Sequence, residues 1–250
     1  MSTWVLLRGL MREKRHWGDF ATLLQAQCPC DEIVSIEWPG NGRLHQQPSF
    51  SRIEIMAEYI QQSLDNMGHT GQYHVVAISL GAMAAIEWAY SYPHNIASCT
   101  LINTSLRNYN PYSQRLRYQN WPNIVKLLFM PAIAREQIIL QLTSQNPPTN
   151  TLAQWQHYAQ QYPITACNAA RQLLAATRYQ AKNAAPPVPL LLLNGQQDRL
   201  VSPECSVAIA RAWQVPLRTH PEAGHDLSLD APDWVIAQIK DVFFKKTEPI

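Results

Sequence analysis

Residues 73–83 read YHVVAISLGAM. An apolar run stops at Ser79, and small residues, Ala77 and Gly81, stand two positions to either side. Tyr73–Ile78 reads as a strand, and the Ala- and Leu-rich stretch Leu80–Tyr90 as a helix that ends before Pro93. Strand, then small-x-Ser-x-small, then helix is the context a nucleophile elbow requires. The turn is tight enough to strain the serine backbone, and bulky neighbours would clash. The hydroxyl then stands clear of the strand's carboxyl end, near a helix N-terminus whose dipole favours developing negative charge. The Leu80 N–H points to the same place. The competing reading of this pentapeptide is a serine in an ordinary strand-to-helix turn.

A serine hydroxyl is a weak nucleophile without a base, so an acid and a histidine are expected further along, in that order. The run VPLLLLN at Val188–Asn194 is apolar on both faces, as a central parallel strand would be. Asp198 follows it in GQQDRLVSP. After a weaker strand at Pro216–His220 comes PEAGHDLSLDAPDW, which carries His225. Asp226 and Asp230 are rivals for the acid. Asp230 reads better as an N-cap for the last helix, which Pro232 and Asp233 open and which runs to about Phe244. The loop after the fourth strand, Asn103–Thr104, offers no carboxylate.

The remaining strands are Trp4–Leu7, Ile33–Ile36 and Ala97–Asn103. SRIE at Ser51–Glu54 matches a capping box before Ile53, Met56, Ile60 and Leu64 at helical spacing. Ser202 with Pro203 reads as an N-cap and first turn. Strands alternating with helices predict a mostly parallel, doubly wound α/β sheet of about six strands. In such a sheet the loops bearing Ser79, Asp198 and His225 gather at one edge. The stretch 106–185 has helical patches and no convincing strand. It divides the chain into core (1–105), helical cap (106–185) and core (186–250).

The first strand ends in LLRGLMREKRHW. Gly9 lets the chain turn back and exposes the N–H of Leu10, which with that of Leu80 would form a two-donor oxyanion hole.

These residues resemble the α/β-hydrolase superfamily over nearly the whole chain except the insertion. The family's serine, acid and histidine fall on Ser79, Asp198 and His225. PGNG resembles its PGHG-type loop, and Trp17 its tryptophan after the oxyanion turn. The resemblance implies an acyl-serine intermediate, a helical cap and no cofactor. Two departures stand out: Ala77 replaces the first elbow glycine, and Arg8–Gly9 replaces the usual His–Gly. Arg8 then either reaches an anionic substrate group or pairs with an acid.

The 250 residues carry a net charge of +2 and 46% apolar side chains, enough for a sizeable core and no overall case for nucleic acid. No run is long enough for a membrane span, and the N-terminus lacks a signal-peptide core. The five scattered cysteines fit a reduced, cytoplasmic setting, with Cys99 and Cys205 as packing thiols. The other histidines form neither HxH nor HExxH, so no metal is expected.

The charge is unevenly placed. Residues 106–182 hold eight bases (Arg107, Arg115, Arg117, Lys126, Arg135, Arg171, Arg178 and Lys182) against Glu136 alone, leaving +7 there and −5 elsewhere. A basic cap fits an anionic substrate or carrier: an acyl carrier protein, coenzyme A or phospholipid. A solvated basic face with no partner fits equally. Arg8, Trp17, Arg107, Arg115, Arg117 and Tyr118 are the candidate substrate or carrier contacts. The aromatics Tyr109, Tyr112, Tyr118, Trp121, Trp155, Tyr158 and Tyr162 either line an acyl pocket or hold the cap helices together.

The expectation is a serine hydrolase of esters or thioesters, losing activity as His225 protonates near neutral pH or slightly below. The resemblance reaches to methyl esterases acting on pimeloyl-acyl carrier protein in biotin synthesis. Lysophospholipases, carbon–carbon bond hydrolases and non-catalytic binding proteins on the same fold remain as alternatives.

Overall fold

A computed structural model describes residues 2–244. Six strands, β1 (Thr3–Leu7), β2 (Glu32–Ile36), β3 (Tyr73–Ile78), β4 (Ile96–Ile102), β5 (Leu190–Gly195) and β6 (Leu217–His220), form one sheet in the order β2-β1-β3-β4-β5-β6. All five pairings are parallel. The strand order reverses direction beside β1 and β3, which puts the crevice for a ligand at their carboxyl ends.

The apolar runs are continuous because both faces of the sheet are covered. Val5, Leu7, Val75, Ala77, Leu101 and Leu192 pack into one core, with α2 (Ile53–Asn66), α3 (Leu80–Ser91) and α9 (Glu204–Trp213). Their neighbours Trp4, Leu6, Val76, Ile78, Leu191 and Leu193 pack into a second core, with α1 (Asp19–Gln27) and α11 (Pro232–Phe243). The period-2 alternation of a strand therefore feeds two apolar layers instead of one apolar and one wet face.

Between β4 and β5 lie five helices: α4 (Tyr112–Arg115), α5 (Trp121–Phe129), α6 (Ala132–Thr143), α7 (Thr151–Gln161) and α8 (Ala166–Arg178). A short α10 (Leu227–Asp230) precedes α11. Among the described residues no helix is long and apolar enough to cross a membrane.

Three local expectations are corrected. SRIE forms no capping box: Arg52 is the N-cap of α2, and no side chain caps it. Ser202 lies one residue too early, because Pro203 is the N-cap of α9. Asp230 does not cap α11, whose N-cap is Ala231; its carboxylate is drawn off to tertiary partners described below.

Leu192 is fully buried in β5, between β4 and β6. Leu192→Ala leaves a cavity that a rigid sheet cannot close, and should cost about 2–5 kcal/mol. Urea unfolding, with an unchanged m-value, measures it.

Candidate active site

Ser79 sits between β3 and α3 with φ 54° and ψ −113°, a conformation few non-glycine residues adopt. Its N–H donates to the Ile102 carbonyl at 2.9 Å, tying the elbow to β4. The need for small neighbours is specific. A Cβ on Gly81 would lie 2.4 Å from the Leu7 oxygen and 2.6 Å from the Arg8 oxygen. A Cβ on Gly9 would press on the Ser79 Cβ at 3.2 Å. Ala77 is buried within the sheet, between Leu7 and Leu101.

The carboxyl end of β1 thus runs directly over the elbow. Met11, at φ 58°, turns the chain back there. The backbone N–H groups of Leu10 and Leu80 donate to no protein group among the described residues. The turn is held from the core by Trp38 Nε1, donating to the Arg8 carbonyl at 2.9 Å, and by Asn41 Nδ2, donating to that of Arg12 at 2.8 Å. From the cap, Gln172 Oε1 on α8 accepts the Met11 N–H at 2.8 Å, and Glu136 on α6 pairs with Arg12 at 2.7 Å.

At the neighbouring strand ends, His225 Nδ1 donates to Asp198 Oδ2 at 2.7 Å, and both residues are buried. The other Asp198 oxygen accepts the N–H groups of Leu200 and Val201 at 2.8 and 2.9 Å. Three donors hold the carboxylate, and the carboxylate holds the imidazole with its proton on Nδ1, leaving Nε2 free to accept one. Of the three candidate acids, Asp198 is the one that meets the histidine.

The rivals have other tasks. Asp226 takes both terminal nitrogens of Arg8, at 3.0 and 2.5 Å, and accepts the Ser228 hydroxyl at 2.9 Å. Burial alone would raise the Asp226 carboxyl; the Arg8 charge and these hydrogen bonds outweigh it and hold the group below its ordinary value. Asp230 accepts the N–H groups of Gly224 at 2.7 Å and Gln145 at 3.0 Å, together with the Ser144 hydroxyl. It fastens the histidine loop to the end of α6.

Asn103, in a left-handed conformation, donates to the carbonyls of His225 at 2.7 Å and Gly224 at 3.1 Å, and accepts the Gly195 N–H at 3.0 Å. One side chain joins the end of β4 to the loops that carry Asp198 and His225. The sequence shows only an amide where no carboxylate stands, so this role was not visible in it.

A cavity of about 150 Å³ opens over these groups, and Gly9, Leu10, Ser79, Leu80 and His225 share its wall. No hydrogen bond joins the Ser79 hydroxyl to the imidazole, a contact that often tightens only with substrate present. Apolar side chains from the cap, Ile124, Leu127, Ile139, Leu142 and Leu173, make up much of the remaining wall.

The candidate substrate contacts divide. Arg8 and Arg115 reach the cavity wall, but Arg8 is engaged by Asp226, and Arg115 donates to the carbonyls of Ala176 and Thr177 at the end of α8. Trp17 does not line the cavity; it is buried against Phe20, with the Arg8 guanidinium 5.0 Å from its ring. Arg117 holds the acid loop instead, its side chain donating to the Asp198 carbonyl at 2.8 Å. Arg107 and Tyr118 are exposed and outside the wall. Of the cap aromatics only Tyr112 lines it. Trp155 and Tyr158 pack edge-on against His16. Among the described residues no cluster of side chains suits a metal ion. Cys99 and Cys205 are buried, and burial pushes the Cys205 thiol up to about 12.

A wound parallel sheet with a strained serine at the elbow and an acid-held imidazole at the same edge defines a class of α/β fold built for hydrolysis. The family model described as "Alpha/beta hydrolase family" matches residues 4–238, and the chain belongs to that family. None of the curated protein sequences matches it. Among solved structures it is similar to a hydrolase from Pseudomonas aeruginosa PA01, at 17% identity and TM-score 0.79, covering 97% of this chain and 90% of that one. An enol-lactonase from Burkholderia xenovorans LB400 aligns at 16% identity and TM-score 0.78, covering 96% and 90%. A thermophilic esterase from Thermogutta terrifontis aligns at 18% identity and TM-score 0.71, covering 96% and 89%. At such identities the likeness establishes the fold.

Two outcomes follow from the buried polar groups. Asn103→Ala strands two carbonyls and an N–H, and should lower stability by about 3 kcal/mol in denaturant unfolding. His16 is buried beside Arg12, and desolvation, then the Arg12 and Arg8 charges, hold its pKa well below the ordinary value. As pH falls through about 6.5 the unfolded chain takes this proton and the folded one does not, so stability is lost with acidification. The fall in Tm between pH 7.5 and 5.5 should be smaller in His16→Gln than in the native protein.

Proposed function

We propose that the protein cleaves carboxylic esters, or thioesters, through an acyl-serine intermediate. The observation that carries this reading is the 2.7 Å Asp198–His225 pair, opening on a cavity whose wall also holds Ser79 and two uncommitted backbone amides. Ser79 Oγ attacks the carbonyl carbon and its proton passes to His225 Nε2. Asp198 stabilises the imidazolium so formed. The oxyanion takes hydrogen bonds from the Leu10 and Leu80 amides, each donor contributing about 3–4 kcal/mol to the transition state. The leaving alcohol or thiol carries off the proton from His225. Water, deprotonated by the same imidazole, then attacks the acyl-enzyme, and the proton returns to Ser79.

The apolar wall suits an acyl chain, each buried methylene contributing about 0.8 kcal/mol to binding. The esterase and enol-lactonase among the similar structures are named for cleaving open and cyclic esters, which agrees with this reading. The finer reading is an acyl chain presented by an anionic carrier, such as an acyl carrier protein bearing a pimeloyl methyl ester. It is supported by the exposed Arg107, Lys126, Arg171, Arg178 and Lys182 of the insertion. Arg115 and Arg135 do not count toward it, since both are buried on backbone carbonyls.

A fluorophosphonate probe should label the native protein and not Ser79→Ala. On a panel of acyl esters and thioesters, Ser79→Ala should lower kcat/KM by about 10⁴-fold or more. Absence of label on the native protein, with no ester turned over, would give the fold a binding role instead.

A further inference from the structure

Helix α5 is apolar on two opposite sides. Ile124 and Leu127 face inward onto the cavity. Trp121, Val125 and Phe129, spaced four apart on the other side, are 50%, 57% and 85% exposed. Tyr118 just before the helix and Ile133 just after it are exposed as well, at 63% and 42%. A helix apolar all round is normally buried, and a contiguous exposed apolar patch marks a contact surface. Tyr112 is half exposed and also lines the cavity.

Charge selects the occupant. Between Glu87 and Asp198 the only acidic residue is Glu136, and it is buried against Arg12. The insertion therefore presents no exposed carboxylate. Lys126 lies on the exposed side of α5. Arg107 is exposed and close enough to Arg115 for its charge to be felt there, and the exposed Arg178 ends the helix whose last carbonyls Arg115 binds. A second copy of this chain would bring two cationic, acid-free faces together. An anionic bilayer surface meets both features: aromatic and aliphatic side chains enter the headgroup boundary while lysine and arginine meet the lipid charge.

We infer that the outer face of α5 seats the protein on an anionic lipid surface. No membrane span is needed for this. Binding stands on its own; its use, delivering acyl esters from the lipid phase to Ser79, rests on the hydrolase reading.

Sedimentation with vesicles tests it in Ser79→Ala protein, so that turnover plays no part. Vesicles of phosphatidylcholine with 30 mol% phosphatidylglycerol should bind at least tenfold more strongly than phosphatidylcholine alone at low salt, and 0.5 M salt should remove most of the difference. Val125→Ser/Phe129→Ser should weaken binding at least fivefold, and Lys126→Gln should reduce the preference for phosphatidylglycerol. Phe129→Ser alone, read by the same assay at unchanged Tm, guards against a folding defect in the double variant. Equal sedimentation of the Ser79→Ala protein with and without the face substitutions would overturn the inference. So would a dimer in size-exclusion chromatography that Val125→Ser/Phe129→Ser abolishes while vesicles bind neither form. Absence of ester hydrolysis by the native protein, with vesicle binding intact, would instead count against the hydrolase reading alone.

Discussion

Everything at the active edge depends on how closely β1 passes over the serine elbow. Only a hydrogen fits at Gly81, because the carbonyls of Leu7 and Arg8 fill the space where a side chain would begin. That contact places the strained serine, the first amide of α3 and the turn carrying Leu10 within one small volume. The strain at Ser79 persists because neighbouring strands over-determine it: β4 takes its N–H, and β1 covers the turn. A looser approach would relax the serine and separate the two amides together.

Around this contact the chain spends buried charge on placement. Arg8–Asp226 links the end of β1 to the residue after His225, and Arg12–Glu136 links the turn after β1 to α6. Desolvating both partners offsets much of the attraction in such pairs, so their net contribution to stability is small. Their geometry is demanding, however. A bidentate arginine–carboxylate pair fixes direction as well as distance. Asp230 and Gln172 do the same with neutral donors, each joining a loop at the carboxyl edge of the sheet to a helix inserted between β4 and β5 or to its end. The helices between β4 and β5 are thereby fastened to both the turn carrying Leu10 and the histidine loop, and their position bears on the cavity's shape as much as on access to it.

The parts legible in the sequence were those with local signatures. The first five strands declared themselves by apolar runs, β6 (LRTH) only weakly, and the elbow by small residues at fixed offsets from Ser79. The order of Asp198 and His225 followed from chain topology. What escaped was set by partners distant in sequence. Helix α1 buries only Phe20 and Leu24, too few apolar positions to mark a helix. Asp230 looks like an N-cap beside Pro232, yet three groups from elsewhere outbid the helix for its carboxylate. Asn103 and Gln172 are amides with no pattern around them, and only the meeting of loops gives them a role.

The cationic excess of the insertion shows the same limit from the other direction. A net +7 is plain in the sequence, but composition cannot say which charges face outward. Arg135 donates to the carbonyls of Met130 and Ile164, Arg115 to the end of α8, and Arg117 to the Asp198 loop. These guanidinium groups serve as multi-donor clips for carbonyls at helix ends and loop turns, a use that lysine's compact ammonium fills less well. The charge left for any partner is the exposed share, five of the eight bases, of which Lys126 shares α5 with the exposed Trp121, Val125 and Phe129. A partner recognised by that surface must satisfy both features at once, so charge alone is a poor guide to what this insertion meets.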